Sequence, residues 1–308
     1  MRVIFHADDF GLTRAINAGI LEAHTRGLLR SASLIGSAGA AEDAAIGAAQ
    51  HPGLDVGLHI ALVEERPVLP PGRIPSLVSD GCLLRDFGTV CLRYALGRWR
   101  IGEALAEIEA QWDRLTELGI QPSHCDGHQH IHLLPRLFPW VVAQARQRGI
   151  RLVRARLEEP VGAGSSSARR MQLLAIRWVS AVASRRVPPS DRAAMIPFVT
   201  VGFGWAGGSM TTARLLEILT LLRERAEPIV EVMLHPGRSD AETLRKYGHW
   251  GYRWERDLEL LLDPALPEAL DRRGIEVTSF RDVASSLADK PSAGGGAPGK
   301  ERQRDSSK

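Results

Sequence analysis

The segment His124-Cys125-Asp126-Gly127-His128-Gln129-His130-Ile131-His132 contains four of the ten histidines of this chain. These histidines and the aspartate all occupy even positions, so an extended strand would direct their side chains to one face. Neutral imidazole and carboxylate groups are common ligands for zinc and similar ions. Side chains two apart on a strand begin about 6.6 Å apart, whereas ligand bonds are about 2 Å long, so one ion can bind only one or two of these groups. The segment therefore predicts part of a metal site whose remaining ligands come from elsewhere.

Other short apolar runs in the chain also end in metal-capable residues. These residues are Asp8 and Asp9 after residues 3–5, His59 after residues 54–58, and His235 after residues 229–234. Helical patterns, clearest over residues 101–118, alternate with the runs. This alternation predicts an α/β fold with a parallel sheet, in which ligands gather at the carboxyl ends of the strands.

The two adjacent aspartates can reach the same site only if the backbone turns, because neighbouring residues on a strand face opposite sides. Asp8 and Asp9 lie at the end of their run, where such a turn is expected. One carboxylate and two imidazoles around a divalent ion leave open positions for water and a substrate carbonyl. That composition is typical of a hydrolytic metal site.

Composition narrows the class of protein. The chain has 308 residues, of which 44% are hydrophobic and 24% charged, as in soluble globular proteins. Its net charge of +3 comes from dispersed basic residues and gives no support for nucleic-acid binding. Three cysteines without a CxxC pair argue against a disulfide framework, and Cys125 is expected to be a buried thiol. With no signal-peptide pattern and no run of about 18 apolar residues, we expect a cytoplasmic protein.

Three segments depart from the alternating pattern. Residues 64–88 are rich in proline and glycine and follow His59, so we expect a loop that forms a wall or lid over the site. Residues 161–196 form an insert that contains an amphipathic run at 171–179 flanked by arginines. This run either packs on its own barrel or lies on the inner membrane as a peripheral helix. Residues 289–308 have the composition of a disordered tail.

Four motifs, in this order along the chain, resemble those of the YdjC-like carbohydrate deacetylases, also called the ChbG family. They are Ala7-Asp8-Asp9-Phe10-Gly11, Gly57-Leu58-His59, the histidine segment 124–132, and Leu234-His235-Pro236. A narrower resemblance, to the hopanoid-biosynthesis-associated branch HpnK, rests on residues 63–71 and on Phe203-Gly204-Trp205. One departure is His6, where many relatives carry asparagine, and it leaves the hydrogen bonding around Asp8 open.

The resemblance implies a distorted (β/α) barrel of the polysaccharide deacetylase type over residues 1–288. It also implies that one divalent ion, zinc or magnesium first and cobalt, nickel or iron as alternatives, is held by Asp9, His59 and His128. By the same resemblance Asp8 is the general base and His235 the general acid. The remaining candidates are substrate contacts or residues that support the ligands: His124, Asp126, His130, His132, Arg154 and Arg156. The two arginines either line the mouth of the site or are simply exposed to solvent. His130 is the alternative to His128 as a ligand.

The activity that the resemblance implies is metal-dependent removal of an N-acetyl group from an N-acetylglucosamine-bearing hopanoid glycolipid. Two alternatives stay open: deacetylation of soluble chito-oligosaccharides or other N-acetylated sugars, and non-catalytic binding of a glycolipid. The expected partners are accordingly an N-acetylated sugar or glycolipid and, through residues 171–179, a membrane surface. Sequence does not decide the oligomeric state.

Overall fold

The computed structural model describes residues 1–158 and 167–288. The predicted tail at 289–308 and residues 161–166 of the insert lie outside the described residues. Within the described residues, ten strands have the following bounds: β1 Arg2–Phe10, β2 Ser31–Leu34, β3 Asp55–Ile60, β4 Val78–Ser79, β5 Cys82–Leu83, β6 Cys125–Gly127, β7 Arg156–Leu157, β8 Val199–Val201, β9 Ile229–Leu234 and β10 Glu276–Val277.

Twelve α-helices lie among the strands of the described chain. They are α1 Arg14–Arg26, α2 Ala41–Gln50, α3 Phe87–Ala95, α4 Ile101–Glu117, α5 Phe138–Gln147, α6 Ser167–Arg186, α7 Pro189–Ala194, α8 Thr212–Glu224, α9 Ala241–Tyr247, α10 Trp254–Leu261, α11 Leu266–Asp271 and α12 Phe280–Ala288. Short 3-10 helices lie at Pro71–Arg73, His128–Leu133, Phe203–Trp205 and Gly248–Trp250. None of the described helices is long and apolar enough to cross a membrane.

The main sheet is parallel in every pairing and has the order β6-β3-β2-β1-β9-β8-β7, with β10 beside the start of β1. Its two edges approach each other through the segment before β7. The amide of Arg154 donates to the carbonyl of Cys125 on β6, while Arg156 and Leu157 pair with β8. The sheet therefore curls into a distorted barrel, which confirms the predicted fold class.

The inside of this barrel is apolar at the amino ends of the strands and polar at their carboxyl ends. On β1, alternate side chains share a face, and the face that carries Ile4 also carries His6 and Asp8. Ile4 belongs to an apolar cluster that includes Phe280 and Val283 of α12, which fill one end of the barrel. His6 and Asp8 lie among buried polar groups further along the strand. The amino ends of the strands thus form an apolar plug, and the carboxyl ends carry charge.

Most of the predicted elements are confirmed. Thr13 caps α1 by accepting from the amide of Ile16, an interaction that typically contributes about 1 kcal/mol. The predicted helix at 101–118 is α4, the amphipathic run at 171–179 lies within α6, and the thiol of Cys125 is buried.

Two sequence predictions were wrong in detail. The strand through the histidine segment ends at Gly127, because Gln129 and His130 adopt left-handed φ angles of 49° and 56°. The segment at residues 64–88, expected to be a loop, contains the short antiparallel pair of β4 and β5. Residues 150–155 contribute one bridge to the sheet, between Val153 and Cys125, and regular pairing begins at Arg156.

Candidate metal centre and active site

Asp8 and Asp9 both face the carboxyl end of the barrel because the backbone turns between them. Asp9 has a φ of +67°, in the left-handed region that non-glycine residues rarely occupy. The pairing between β1 and β2 shifts register at this point. Strained backbone of this kind is commonly found at functional sites. The turn expected from the sequence is therefore present, and it gives adjacent residues access to one site.

Asp9, His59 and His128 form a compact cluster of buried donors. One donor atom from each residue can be chosen so that all three lie within 4.8 Å of one another. Asp9 Oδ1 lies 2.9 Å from Nδ1 of His128 and 3.4 Å from Nε2 of His59. Mixed carboxylate and imidazole donors suit a divalent ion, and the cluster is the one expected from the sequence to be the ligand set. His130, the alternative to His128, is not part of it.

Each imidazole of the cluster has a carboxylate behind it. His59 Nδ1 lies 2.7 Å from Oδ1 of Asp126, and His128 Nε2 lies 3.2 Å from Oε2 of Glu64. Metal-binding histidines usually donate their second ring N–H to such a partner, which fixes the tautomer and the ring orientation. The residues present therefore fit a divalent ion in their outer contacts as well as in their donor atoms.

The charges in this cluster stabilise one another. Burial alone would lower the pKa of both histidines, but Asp126 and Asp8 raise the pKa of His59 to about 9, and Asp9 and Glu64 raise that of His128 to about 10. Burial likewise would raise the pKa of Asp9, but its two imidazole neighbours hold it well below its usual range. Asp9 is therefore ionised and available as a ligand.

Asp8 belongs to a second buried network, centred on Arg154. The guanidinium donates to both carboxylate oxygens of Asp8, at 2.7 and 2.8 Å, and to Glu231, at 2.6 to 3.2 Å. It also lies 2.8 Å from Oδ2 of Asp126. His6, Asp8, Asp126 and Glu231 could by position alone form a second metal cluster, but Arg154 already supplies the positive charge there.

Arg154 determines the protonation state of Asp8. Burial would raise the pKa of this carboxyl, yet the guanidinium holds it well below its usual range. Asp8 Oδ2 receives one of the two Arg154 hydrogen bonds, and a carboxylate oxygen can accept two, so a further proton donor can approach from the pocket. Asp8 is thus an ionised and oriented acceptor.

Neither arginine lines the mouth as the sequence had suggested. Arg154 is almost completely buried beneath Asp8, because three carboxylates inside the barrel attract it. Arg156 is half exposed, forms ion pairs with Glu227 and Glu158, and does not line the pocket.

His6, the departure from the family pattern, joins the same network. Its Nε2 lies 3.2 Å from Asp126, 3.3 Å from Asp8 and 3.1 Å from the hydroxyl of Ser33. Burial would lower its pKa, but the hydrogen bonds to the two aspartates raise it to about 9. An imidazolium here supplies a second positive charge beside Arg154.

The other histidines of the segment 124–132 occupy three different environments. His124 packs against Phe280 with ring centroids 4.3 Å apart, and His132 lies 2.9 Å from the carbonyl of Arg154. Neither lines the pocket. His130 does line it, beside Phe203, and burial keeps its pKa well below the usual range, so its ring is neutral. Only His128 of this segment reaches Asp9.

A pocket of about 420 Å³ opens over the cluster. Its floor carries Asp8, Asp9, His59, His128 and His235, and His235 Nε2 lies 3.9 Å from Oδ2 of Asp9. Its walls are largely apolar and come from separate parts of the chain: Phe87, Ala175, Ile176, Phe203, Ala206, Met233, Trp250 and Tyr252. The helix α6 therefore contributes to the wall of the site.

Sequence reasoning missed two carboxylates that organise this site. Glu64 was placed in the loop after His59, and Glu231 stands within an apolar strand. A charged residue in the middle of a buried strand was a signal, because such a residue needs a partner. The partner of Glu64 could not be identified from sequence, because Glu64 and His128 are 64 positions apart and no local pattern relates them.

Residues 2–272 match the family model described as YdjC-like protein. The chain belongs to the YdjC-like family. Among its relatives, a chitooligosaccharide deacetylase of Serratia marcescens is 30% identical over 285 residues, covering 91% of this chain and 98% of that protein. A carbohydrate deacetylase of Geobacillus stearothermophilus is also 30% identical, over 279 residues, covering 91% and 96%. The family predicted from the four motifs is thus confirmed for this YdjC-like chain.

The barrel of this YdjC-like chain also resembles a solved structure. That structure, a putative cellobiose-phosphate cleavage protein of Enterococcus faecalis V583, superimposes with a TM-score of 0.70 at 23% identity. The match covers 92% of this chain and 98% of that one. At this identity the likeness shows the fold, and the curled parallel sheet is therefore shared.

Proposed function

We propose that this YdjC-like protein is a metal-dependent hydrolase that removes the acetyl group from an N-acetylated sugar. The observation that carries the proposal is the convergence in one pocket of the Asp9, His59 and His128 cluster with the ionised Asp8. The names of the Serratia and Geobacillus relatives support a carbohydrate substrate.

The proposed ion is held by Asp9, His59 and His128. It would supply positive charge that polarises the acetamide carbonyl and stabilises the negative charge developing on its oxygen. Asp126 and Glu64 each contact one ring nitrogen of an imidazole, so that the other nitrogen, which faces Asp9, would be the one to bind the ion. The donor set does not select one metal, and zinc and magnesium are the first ions to test.

Asp8 and His235 perform the proton transfers in this proposal. Asp8 accepts a proton from the water that attacks the carbonyl carbon, because Arg154 keeps it ionised and oriented. The carbon–nitrogen bond then breaks to release acetate, and His235 donates a proton to the departing sugar amine. His235 lines the pocket beside Asp9, and its backbone amide donates to Asp257, which fixes the start of the loop after β9.

We further propose that the sugar is borne on a hopanoid glycolipid, as the HpnK resemblance implies. The two segments that carry this resemblance, residues 63–71 and 203–205, both reach the pocket. Glu64 of the first contacts His128, and Phe203 of the second lines the wall. Aromatic rings such as Trp250 and Tyr252 suit the apolar face of a sugar, and Ile176 of α6 extends the apolar wall.

The helix α6 supports a peripheral membrane contact in the same proposal. Met171, Leu174 and Trp178 are 67%, 57% and 68% exposed, although the helix also lines the pocket. Replacing these three residues with serine should reduce sedimentation with anionic liposomes but leave turnover of a water-soluble substrate unchanged. Equal liposome binding by the wild type and the triple variant would refute the membrane contact.

Acetate release tests the reaction itself. The wild type, supplied with zinc or magnesium, should release acetate from an N-acetylglucosaminyl hopanoid faster than from chito-oligosaccharides. Asp8→Asn and His128→Ala should lose most of this activity, and a chelator should remove it reversibly. His51→Ala is the matched control, because His51 bonds to the carbonyl of Gly47 and does not line the pocket.

Three outcomes would contradict parts of this proposal. Full activity in both active-site variants would refute the assignment of the site. A preference for chito-oligosaccharides would refute the glycolipid substrate but not the reaction. Saturable binding of the glycolipid without any acetate release would favour the non-catalytic binding protein.

A further inference from the structure

Glu64 connects two parts of the pocket that are far apart in the chain. Its Oε2 lies 3.2 Å from Nε2 of His128 and accepts from the side-chain Nε2 of Gln129 at 2.8 Å. Its Oε1 lies 3.2 Å from Nε2 of His249 and accepts from the indole N–H of Trp250 at 3.1 Å. One carboxylate therefore contacts both the proposed ligand and the aromatic wall.

The backbone around Glu64 is arranged for these contacts. Glu64 has a φ of +67°, a conformation that non-glycine residues rarely adopt and that persists only where surrounding contacts impose it. The next residue, Glu65, is buried and accepts from the hydroxyl of Tyr247 at 2.8 Å. Two consecutive carboxylates thus attach residues 247–250 to the edge of the site.

The contact of Glu64 selects one form of the His128 ring. A neutral imidazole carries one N–H, and a carboxylate beside Nε2 favours the tautomer with the proton on that atom. Nδ1, which lies 2.9 Å from Oδ1 of Asp9, would then be the nitrogen that gives up its proton when the proposed ion binds. His59 has the opposite arrangement, because Asp126 contacts its Nδ1 and leaves Nε2 facing Asp9.

We infer that Glu64 is a positioning residue that fixes His128 for metal binding and, through the same carboxylate, holds Trp250 on the substrate wall. The ring centroids of His128 and Trp250 lie 5.3 Å apart, so the two groups that Glu64 holds are also in contact. The inference rests on the proposed metal site and assigns to Glu64 a role that links metal affinity to substrate binding. Loss of this carboxylate should therefore change both properties, whereas loss of the indole N–H should change only the second.

The first test is metal affinity, which requires no turnover. Glu64→Gln keeps the size of the side chain but removes its charge, and zinc affinity, measured by competition with a chromophoric chelator, should fall by about 10- to 100-fold. Glu65→Gln is the matched control, since its carboxylate contacts Tyr247 rather than His128, and it should retain wild-type affinity. The melting temperatures of the metal-free proteins show whether each variant is folded.

The same substitution in a His128→Ala protein keeps the zinc-affinity test decisive even if Glu64→Gln is destabilised. If Glu64 acts through His128, adding Glu64→Gln to a His128→Ala protein should produce no further loss of zinc affinity. A general structural effect would instead lower affinity by the same factor in both backgrounds, and that result would overturn the inference.

The link to substrate is tested with Trp250→Phe, which keeps an aromatic ring but cannot donate to Glu64. This variant should raise KM with little change in kcat or zinc affinity, whereas Glu64→Gln should alter zinc affinity and KM together. Unchanged KM in both variants would overturn the link to the substrate wall. If the wild type binds zinc but releases no acetate, the proposed function fails, and the affinity measurements still decide the role of Glu64 toward His128.

Discussion

Replacing Arg154 with methionine should destabilise the metal-free protein by about 3–5 kcal/mol at pH 7, the usual cost of removing one partner from a buried ion pair. The guanidinium contacts Asp8, Asp126 and Glu231 within 3.2 Å, and all four groups are buried. Methionine fills a similar space but leaves the three carboxylates without the guanidinium, and only the imidazoles of His6 and His59 then contact them as cations. Because a domain is typically stable by 5–15 kcal/mol, this loss should be large enough to measure directly.

Urea denaturation of chelator-treated protein, followed by circular dichroism, measures the change. Arg154→Lys keeps the positive charge but loses the planar, bidentate contact with Asp8, so its loss should be smaller, about 1–3 kcal/mol. Arg156→Met is the matched control, because Arg156 is half exposed and its ion pairs should contribute less than about 1 kcal/mol.

The pH dependence gives an independent check on the Arg154 prediction. In the wild type Arg154 holds the pKa of Asp8 well below its usual range, so this carboxylate contributes stability that is lost as the pH falls. In the methionine variant the buried carboxylates should take up protons more readily, which stabilises the variant in acid. The difference between the proteins should therefore shrink below neutral pH. A difference of less than about 0.5 kcal/mol at pH 7 would refute the reasoning, since such values are typical of surface substitutions.

Two further predictions concern stability. Burial lowers the pKa of His132 from 6.5 to about 4, so its neutral form contributes stability that is lost as the pH falls from 6.5 toward 4. Over this range the wild type should lose about 3 kcal/mol more stability than His132→Gln, as measured by urea denaturation at each pH. Parallel pH curves for the two proteins would contradict this prediction. Glu107→Ala should lower the free energy of unfolding by about 1–3 kcal/mol in the same assay, because the carboxylate of Glu107 accepts from the backbone amides of Val68 and Leu69. Glu109→Ala, on the same helix, is the control. A loss in Glu107→Ala no larger than the loss in this control would show that these hydrogen bonds do not stabilise the fold.

The alternating pattern of the sequence was sufficient to predict the fold class, whereas the family resemblance named the residues of the central cluster. Asp9, His59 and His128 lie close together because the carboxyl ends of parallel strands meet at one edge of the sheet. The even spacing of the histidine segment was a weaker guide. It describes a strand, but the strand ends at Gly127, so His130 and His132 leave the expected face.

Contacts between distant loops were beyond sequence reasoning. Glu64 contacts Trp250 across 186 residues, and no periodic pattern relates the two positions. The burial of Arg154 could not be predicted either, because arginine is usually exposed. Its partners Asp8 and Glu231 lie on two other strands. These ion pairs form only when the curled sheet brings distant strands together, and the linear sequence does not show which strands those are.

Arg154 and the proposed ion would be positive centres of different permanence in the barrel. The guanidinium of Arg154 is a covalent part of the chain and no chelator can remove it, whereas the metal ion proposed at Asp9 would be exchangeable. Without the proposed ion, Asp8 should consequently stay ionised and aligned by Arg154, since none of the three carboxylates that Arg154 contacts is a proposed ligand. Reloading would then be a local event at three side chains and not a refolding of the site, and activity should return as fast as metal can enter the pocket.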